Sequence, residues 1–273
     1  MIWLNGELVD ESRAEISVLD HGLTVGDGVF ETVKTVHGQT FALTRHLERL
    51  ARSATGLGLP APDLDAVRKG CEVLTAAHPL PLGRLRITYT GGLGPLGSDR
   101  GDAPPTLVIA QSAVAARPDT TAVATVPWTR NERSAVAGLK TTSYAENVIA
   151  LAAAHRAGAS EALFANTAGR LCEGTGSNVF VVLDGKLLTP PLASGCLAGI
   201  TRALVVDWCG AEETELPFDV LDRAEEVFLT SSLRDVQAVT RVDGRQLGDA
   251  PGPITARAMA TFTTRAAEDP DPR

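Results

Sequence analysis

The chain has 273 residues, 44% apolar and 21% charged, enough for a substantial buried core in one large domain or two modest ones. With 25 basic and 33 acidic residues its formal charge is −8, and no Lys/Arg run stands out, which argues against nucleic-acid and anionic-membrane partners. No stretch approaches the ~20 apolar residues of a membrane span, residues 1–6 lack a signal-peptide pattern, and the four cysteines without C-x-x-C spacing read as free thiols of a reducing cytoplasm.

Residues 29–36 alternate in the manner of a strand, His37-Gly38 turns, and residues 39–43 return, which predicts a hairpin. Residues 45–57 read as a helix with Leu47, Leu50, Ala51 and Ala54 on one face, ended by Gly56 and Gly58. A second helix is expected from about Asp63 to just before Pro79, then strands at 84–90 and 106–111. Beyond Arg117-Pro118 come a strand at 121–126, a polar loop, a helix at about 145–157, and strands at 161–165, 177–183 and 186–189. A helix at 199–209 and a strand at 226–230 complete the predicted elements. The mixture predicts an α+β fold of two domains. A small N-terminal α/β domain takes residues 1–112, a linker 113–120, a larger β-rich C-terminal domain 121–267, and a disordered polar tail 268–273.

Two kinds of signal are weaker than they look. Gly92-Leu93-Gly94-Pro95-Leu96-Gly97 fits G-x-G-x-x-G, but Ser98-Asp99-Arg100-Gly101-Asp102 and Pro104-Pro105 follow instead of the helix a dinucleotide site requires. It reads as a glycine-rich loop. The five histidines have no i,i+4 pairing and no neighbouring ligand cluster, so no metal site is expected.

Only four lysines occur. Lys34, Lys69 and Lys186 read as surface charges, whereas Lys140 lies among small and hydroxylated residues in Ala137-Gly138-Leu139-Lys140-Thr141-Thr142-Ser143. On this segment alone an ordinary loop lysine is the simpler reading. A lysine that forms an imine must shed its proton, and its cofactor needs a carboxylate at the pyridine nitrogen and a cage for its phosphate. The chain offers candidates for each part.

Those residues carry a resemblance to the class IV aminotransferases, the fold-type IV pyridoxal-phosphate enzymes, a family that includes branched-chain and D-amino-acid transaminases and aminodeoxychorismate lyase. The likeness runs from Asn5 to about Gly244 as separated motifs in one order. Residues 20–31, ending Val29-Phe30-Glu31, resemble the N-terminal signature, in which Phe30 would line the substrate pocket. Arg45-His46-Leu47-Glu48-Arg49-Leu50 is similar to R-H-x-x-R-L, which implies that Arg49 contacts the cofactor phosphate. Lys140 matches the Schiff-base lysine, and Glu173, in the segment ending Asn178-Val179-Phe180, matches the carboxylate facing the pyridine nitrogen. Gly199-Ile200-Thr201-Arg202 resembles the phosphate site at a helix N-terminus, with Ile200 and Thr201 as donors. Thr230-Ser231-Ser232-Leu233 resembles the turn that completes the cage, with Ser232 at the phosphate and Leu233 at the substrate.

The chain departs from its relatives on the strand at 84–91. The arginine-glycine pair of D-amino-acid transaminases is Thr90-Gly91 here, and Arg84 and Arg86 are the candidate ligands for substrate. The resemblance implies aminotransfer between an amino acid and a 2-oxo acid with pyridoxal 5′-phosphate (PLP), in a homodimer. Elimination from aminodeoxychorismate to 4-aminobenzoate and pyruvate is the alternative within the family, and a non-catalytic PLP-binding protein the alternative outside catalysis.

Overall fold

The computed structural model describes residues 1–273, which divide into two units. The first comprises Met1–Ala116, Leu139–Ser143 and Asp269–Arg273. Its strands are β1 (Ile2–Leu4), β2 (Glu7–Val9), β3 (Gly28–Val36), β4 (Gln39–Thr40), β5 (Leu82–Thr90) and β6 (Thr106–Ala113), and its helices α1 (His21–Thr24), α2 (Leu43–Gly56) and α3 (Leu64–Ala77). The six strands form one sheet in the order β2-β1-β6-β5-β3-β4, and every pair is antiparallel.

Alternation along β3 divides the sheet. Val29 and Val33, with Leu85 and Ile87 of β5, are fully buried in the core with Leu47 and Leu50 of α2 and Leu74 of α3. The opposite phase holds Phe30, Thr32 and Lys34, cross-strand from Thr88, Arg86 and Arg84. Both arginines therefore share a sheet face with Phe30. The returning arm of the predicted hairpin is shorter than expected: only Gln39 and Thr40 pair with β3, and Ala42 (φ 53°) turns the chain into α2.

Ala42 has no side chain to cap α2. The C-terminus supplies one instead: Thr44 donates its N–H and hydroxyl to Asp271 at 2.9 and 2.6 Å, and Ala42 N–H bonds Pro270 O at 2.7 Å. The tail expected to be disordered is thus anchored, because a carboxylate satisfies orphan N–H groups at a helix start.

The glycine-rich segment is a loop, as its prolines require. A Cβ at Gly92 (φ 72°) would lie 2.1 Å from Pro104 O, so the backbone approach itself demands glycine. His21 pins this loop, with Nδ1 at 3.0 Å from Asp27 Oδ2 and Nε2 at 3.0 Å from Gly97 O. Both partners are acceptors, so only the doubly protonated ring donates to each. The Asp27 bond accordingly raises the His21 pKa. A raised histidine pKa gives a contribution that is complete below the ordinary value near 6.5 and lost as pH rises through the raised value. Exchange of the Gly94 amide, which bonds Leu19 O at 3.2 Å in this loop, normalised for intrinsic rate, is expected to accelerate above neutral pH in the wild type and to lose that dependence in His21→Asn.

The second unit comprises Arg117–Gly138 and Tyr144–Glu268. In chain order it contains β7 (Thr120–Arg130), α4 (Ala145–Arg156), β8 (Glu161–Asn166), β9 (Leu171–Gly174), β10 (Asn178–Leu183), β11 (Lys186–Thr189), α5 (Ile200–Cys209), β12 (Glu212–Glu213), α6 (Val220–Arg223), β13 (Glu226–Ser231), β14 (Asp235–Val242), β15 (Arg245–Gln246) and α7 (Pro253–Glu268). The sheet order is β12-β11-β10-β13-β14-β7-β8-β9, with β15 on β14. β7 runs parallel to both β14 and β8. Phe180 stacks on Phe228 at 4.7 Å across β10 and β13, while Val179, Val181, Val227 and Leu229 bury the other phase. α7 was not foreseen from sequence. Its buried face is Thr255, Ala258 and Phe262, too small to register as an apolar stripe, and the Glu226 carboxylate caps it by accepting Ile254 and Thr255 N–H at 3.1 and 2.7 Å.

The first unit ends at Ala116 and the second starts at Arg117, while Leu139–Ser143, expected in the second domain, belong with the first unit. Backbone pairing explains this: Phe30 N–H bonds Lys140 O at 2.9 Å and Thr142 N–H bonds Gly28 O at 2.8 Å, so the segment joins β3 as a short extra bridge. No helix is long and apolar enough to cross a membrane.

Candidate active site

Lys140 is held at both ends of its peptide. Its N–H donates to Ser53 Oγ at 3.2 Å, its carbonyl accepts from Phe30, and Leu139 packs where a Cβ on Gly56 would sit, 2.7 Å away. The ammonium therefore projects over the Phe30 ring, with Nζ 4.3 Å from the centroid. Arg86 Cζ lies 3.8 Å from the same centroid. One aromatic ring thus organises two cations, a favourable arrangement for a π face and a repulsive one for the two charges. Arg84, two residues before Arg86, presents to the same sheet face.

Arg49 is 5% exposed, because 46, 49, 50 and 53 fall on the inner face of α2. Burying a guanidinium demands a counter-charge, and Glu31 of β3 supplies it. Arg49 donates Nε–H to Glu31 Oε1 at 2.8 Å and Nη2–H to Oε2 at 2.7 Å, and His46 donates Nδ1–H to Oε2 at 2.7 Å. Burial opposes ionisation of Glu31, but the charge and hydrogen bonds of Arg49, with the His46 bond, win and hold its pKa well below the carboxylate range. Burial depresses the His46 pKa, which keeps that ring neutral. Glu31, the partner that fixes Arg49, is a residue that the motif reading passed over. Its signal was a charged residue in phase with Val29 and Val33 on a strand otherwise buried.

In the second unit Glu173 ends β9, opposite Phe164 of β8. Leu197 N–H donates to its Oε2 at 2.9 Å, and Arg130 Nε lies 3.2 Å from Oε1. Arg130 also stacks over Phe164 at 4.0 Å and bonds Glu146 at 2.6 Å, so its charge is fixed beside Glu173. Arg130 too was missed, since a lone arginine late in a strand carries no sequence signal.

Gly199 precedes α5, and Ile200 and Thr201 form its first turn, both buried. No side chain caps this end, so its N–H groups and the Thr201 hydroxyl form a donor set suited to an anion. A Cβ at Gly199 would lie 2.0 Å from Asn178 Oδ1, whose amide donates to Leu197 O at 2.9 Å. Any side chain at Gly199 would therefore displace this turn. Ser232 and Leu233 occupy the hairpin between β13 and β14. Arg234 N–H bonds Ser231 O at 3.1 Å, and Asp235 (φ 52°), paired with Ser231, opens β14 after the three-residue loop. Thr230, paired with Asn178, leaves its hydroxyl oxygen buried without a hydrogen-bond partner.

The first unit thus holds a lysine over an aromatic ring and a buried guanidinium, and the second a fixed carboxylate and an uncapped helix end. The family profile described as Amino-transferase class IV matches residues 28–242. The chain belongs to the class IV aminotransferases. It is a transaminase of fold type IV, and enzymes of this class work on amino acids and 2-oxo acids with PLP.

Relatives span nearly its whole length. A Methanocaldococcus jannaschii protein provisionally named a branched-chain-amino-acid aminotransferase is 34% identical over 279 residues, covering 96% of this chain and 94% of its own. D-alanine aminotransferase of Staphylococcus haemolyticus is 30% identical, covering 96% of each chain. The crystal structure of Escherichia coli branched-chain amino acid aminotransferase superposes with a TM-score of 0.90 at 27% identity, covering 96% of this class IV chain and 93% of that one.

Proposed function

We propose that this aminotransferase carries PLP covalently on Lys140 and moves an amino group between an amino acid and a 2-oxo acid. The observation supporting this most is the seating of Lys140 Nζ over Phe30, fixed by two backbone hydrogen bonds. The residues present fit the cofactor: a helix N-terminus that no side chain caps, and a carboxylate fixed in place. Bound, PLP supplies an electron sink for the pair released when the substrate's α-C–H bond breaks.

The chain's own groups do the rest. Lys140 Nζ takes the α-proton and returns it, acting as nucleophile and then general base. The Glu173 carboxylate holds a proton on the pyridine nitrogen. Arg49, with Glu31 behind it, and Ile200, Thr201 and Ser232 hold the phosphate. Arg84 and Arg86 on the Phe30 face receive substrate carboxylate, and Phe30 and Leu233 bound the side-chain space. We infer a homodimer, supported by the exposed Val18, Leu23, Leu93 and Leu96, carried on segments that the Asp20–Leu93 bridge holds together. Four free cysteines, three of them buried, support a reducing cytoplasm.

The test is a panel of L- and D-amino acids paired with 2-oxo acids, followed at the cofactor absorbance, with Lys140→Ala as blank. Amino-group exchange that requires an acceptor is expected. Pyruvate release from aminodeoxychorismate without acceptor would instead favour the lyase.

A further inference from the structure

The most heavily bonded carboxylate in the second unit belongs to none of the groups assigned above. Glu161, the first residue of β8, is 2% exposed. Its Oε1 accepts Thr175 N–H at 3.0 Å and the Thr175 hydroxyl, while Oε2 accepts Ser177 Oγ–H at 3.0 Å and Arg234 Nη2–H at 3.3 Å. Thr175 and Ser177 belong to the tight turn that follows Glu173. There Gly174 N–H bonds Ser177 O at 2.7 Å, and a Cβ on Gly174 would lie 2.4 Å from Ser177 Oγ. Arg234 is the last residue of the loop whose first is Ser232. Its side chain is 7% exposed, and it also bonds Gln237 and Ser160 O.

We propose that Glu161 is a positioning residue that ties the Glu173–Asn178 turn to the Ser232 loop and so sets the phosphate-binding hydroxyl of Ser232. The proposal rests on the reading that Ser232 contacts the PLP phosphate. A buried carboxylate with donors from two turns fixes both, because releasing either leaves an unpaired charge in a low-dielectric site. The loop cannot drift while Arg234 is held, since Arg234 N–H is also bonded to Ser231 O at 3.1 Å. Neutralising Glu161 removes the counter-charge of Arg234 and leaves its side chain only the Gln237 and Ser160 O bonds, so the loop that carries Ser232 is held less firmly. A general scaffold role would weaken all ligands alike. A positioning role at the phosphate weakens only phosphorylated ones.

The experiment compares binding of PLP and of unphosphorylated pyridoxal to apoprotein, for wild type, Glu161→Gln, Ser232→Ala and the double variant. A lost hydrogen bond to a charged group corresponds to about a 10- to 100-fold weaker affinity. Glu161→Gln is expected to lower the PLP-to-pyridoxal affinity ratio about tenfold, with pyridoxal affinity within about threefold of wild type. Adding Ser232→Ala is then expected to lower PLP affinity by no more than about threefold, because the two changes remove one interaction. If Glu161→Gln does not fold, Arg234→Met cuts the link from the other side and is expected to give the same fall in ratio. An unchanged ratio, or losses that add in full, would overturn the role of Glu161. A wild type with no preference for the phosphorylated ligand would overturn the phosphate reading itself, and is seen in the first titration.

Discussion

Replacing Lys140 by alanine is expected to lower turnover about 10⁴-fold or more and to leave the cofactor exchangeable by dialysis. Two functions vanish with one nitrogen. General acid–base catalysis alone is worth about 10²–10⁴-fold, and loss of the covalent link removes the prepositioned nucleophile as well. The variant should still fold, because the contacts that fix residue 140 are made by its backbone: N–H to Ser53 Oγ and C=O to Phe30 N–H. Single-turnover kinetics with PLP in excess, alongside the thermal transition, checks this. A variant that retains more than about a hundredth of wild-type rate would exclude Lys140 as the proton carrier.

Glu31→Gln is expected to destabilise the protein by about 3–5 kcal/mol, the usual cost of breaking a buried ion pair from one side. The amide removes the charge that compensates Arg49 and leaves His46 facing an uncharged acceptor. PLP affinity should fall with stability, since Arg49 is the proposed phosphate ligand and Glu31 fixes its orientation. The same pair sets a pH dependence of known sign. A carboxylate with a depressed folded pKa gives stability that is complete above its unfolded value near 4.3 and lost as pH falls through the folded value. Urea denaturation at pH 7 and pH 4 should show a smaller acid-induced loss in Glu31→Gln than in wild type. Equal losses in the two would remove Glu31 from the account.

Much of the fold was legible because its elements obey simple periods. The α2 face of Leu47, Leu50 and Ala54, and the glycines at its end, follow from local spacing. α7 was not legible, because its buried face is Thr255, Ala258 and Phe262 and its cap is Glu226, 28 residues earlier. The tail was misread for the same reason, since only the fold brings Asp271 to Thr44. The glycine-rich loop was read correctly from its prolines, which exclude the helix a nucleotide fingerprint needs. In the site, the motifs pointed to Lys140, Arg49, Glu173 and Thr201, each within a short motif that keeps its place in the chain order. Of the groups behind them, Glu31 left only its phase on a buried strand face, while Arg130 and Glu161 were invisible because each acts through a partner more than 15 residues away in sequence.

Borohydride reduction of the PLP-treated protein, followed by peptide mapping, addresses the central assignment most directly. A single pyridoxyl group on Lys140 is the result expected. Label confined to Lys34, Lys69 or Lys186, or no stable label at all, would contradict it.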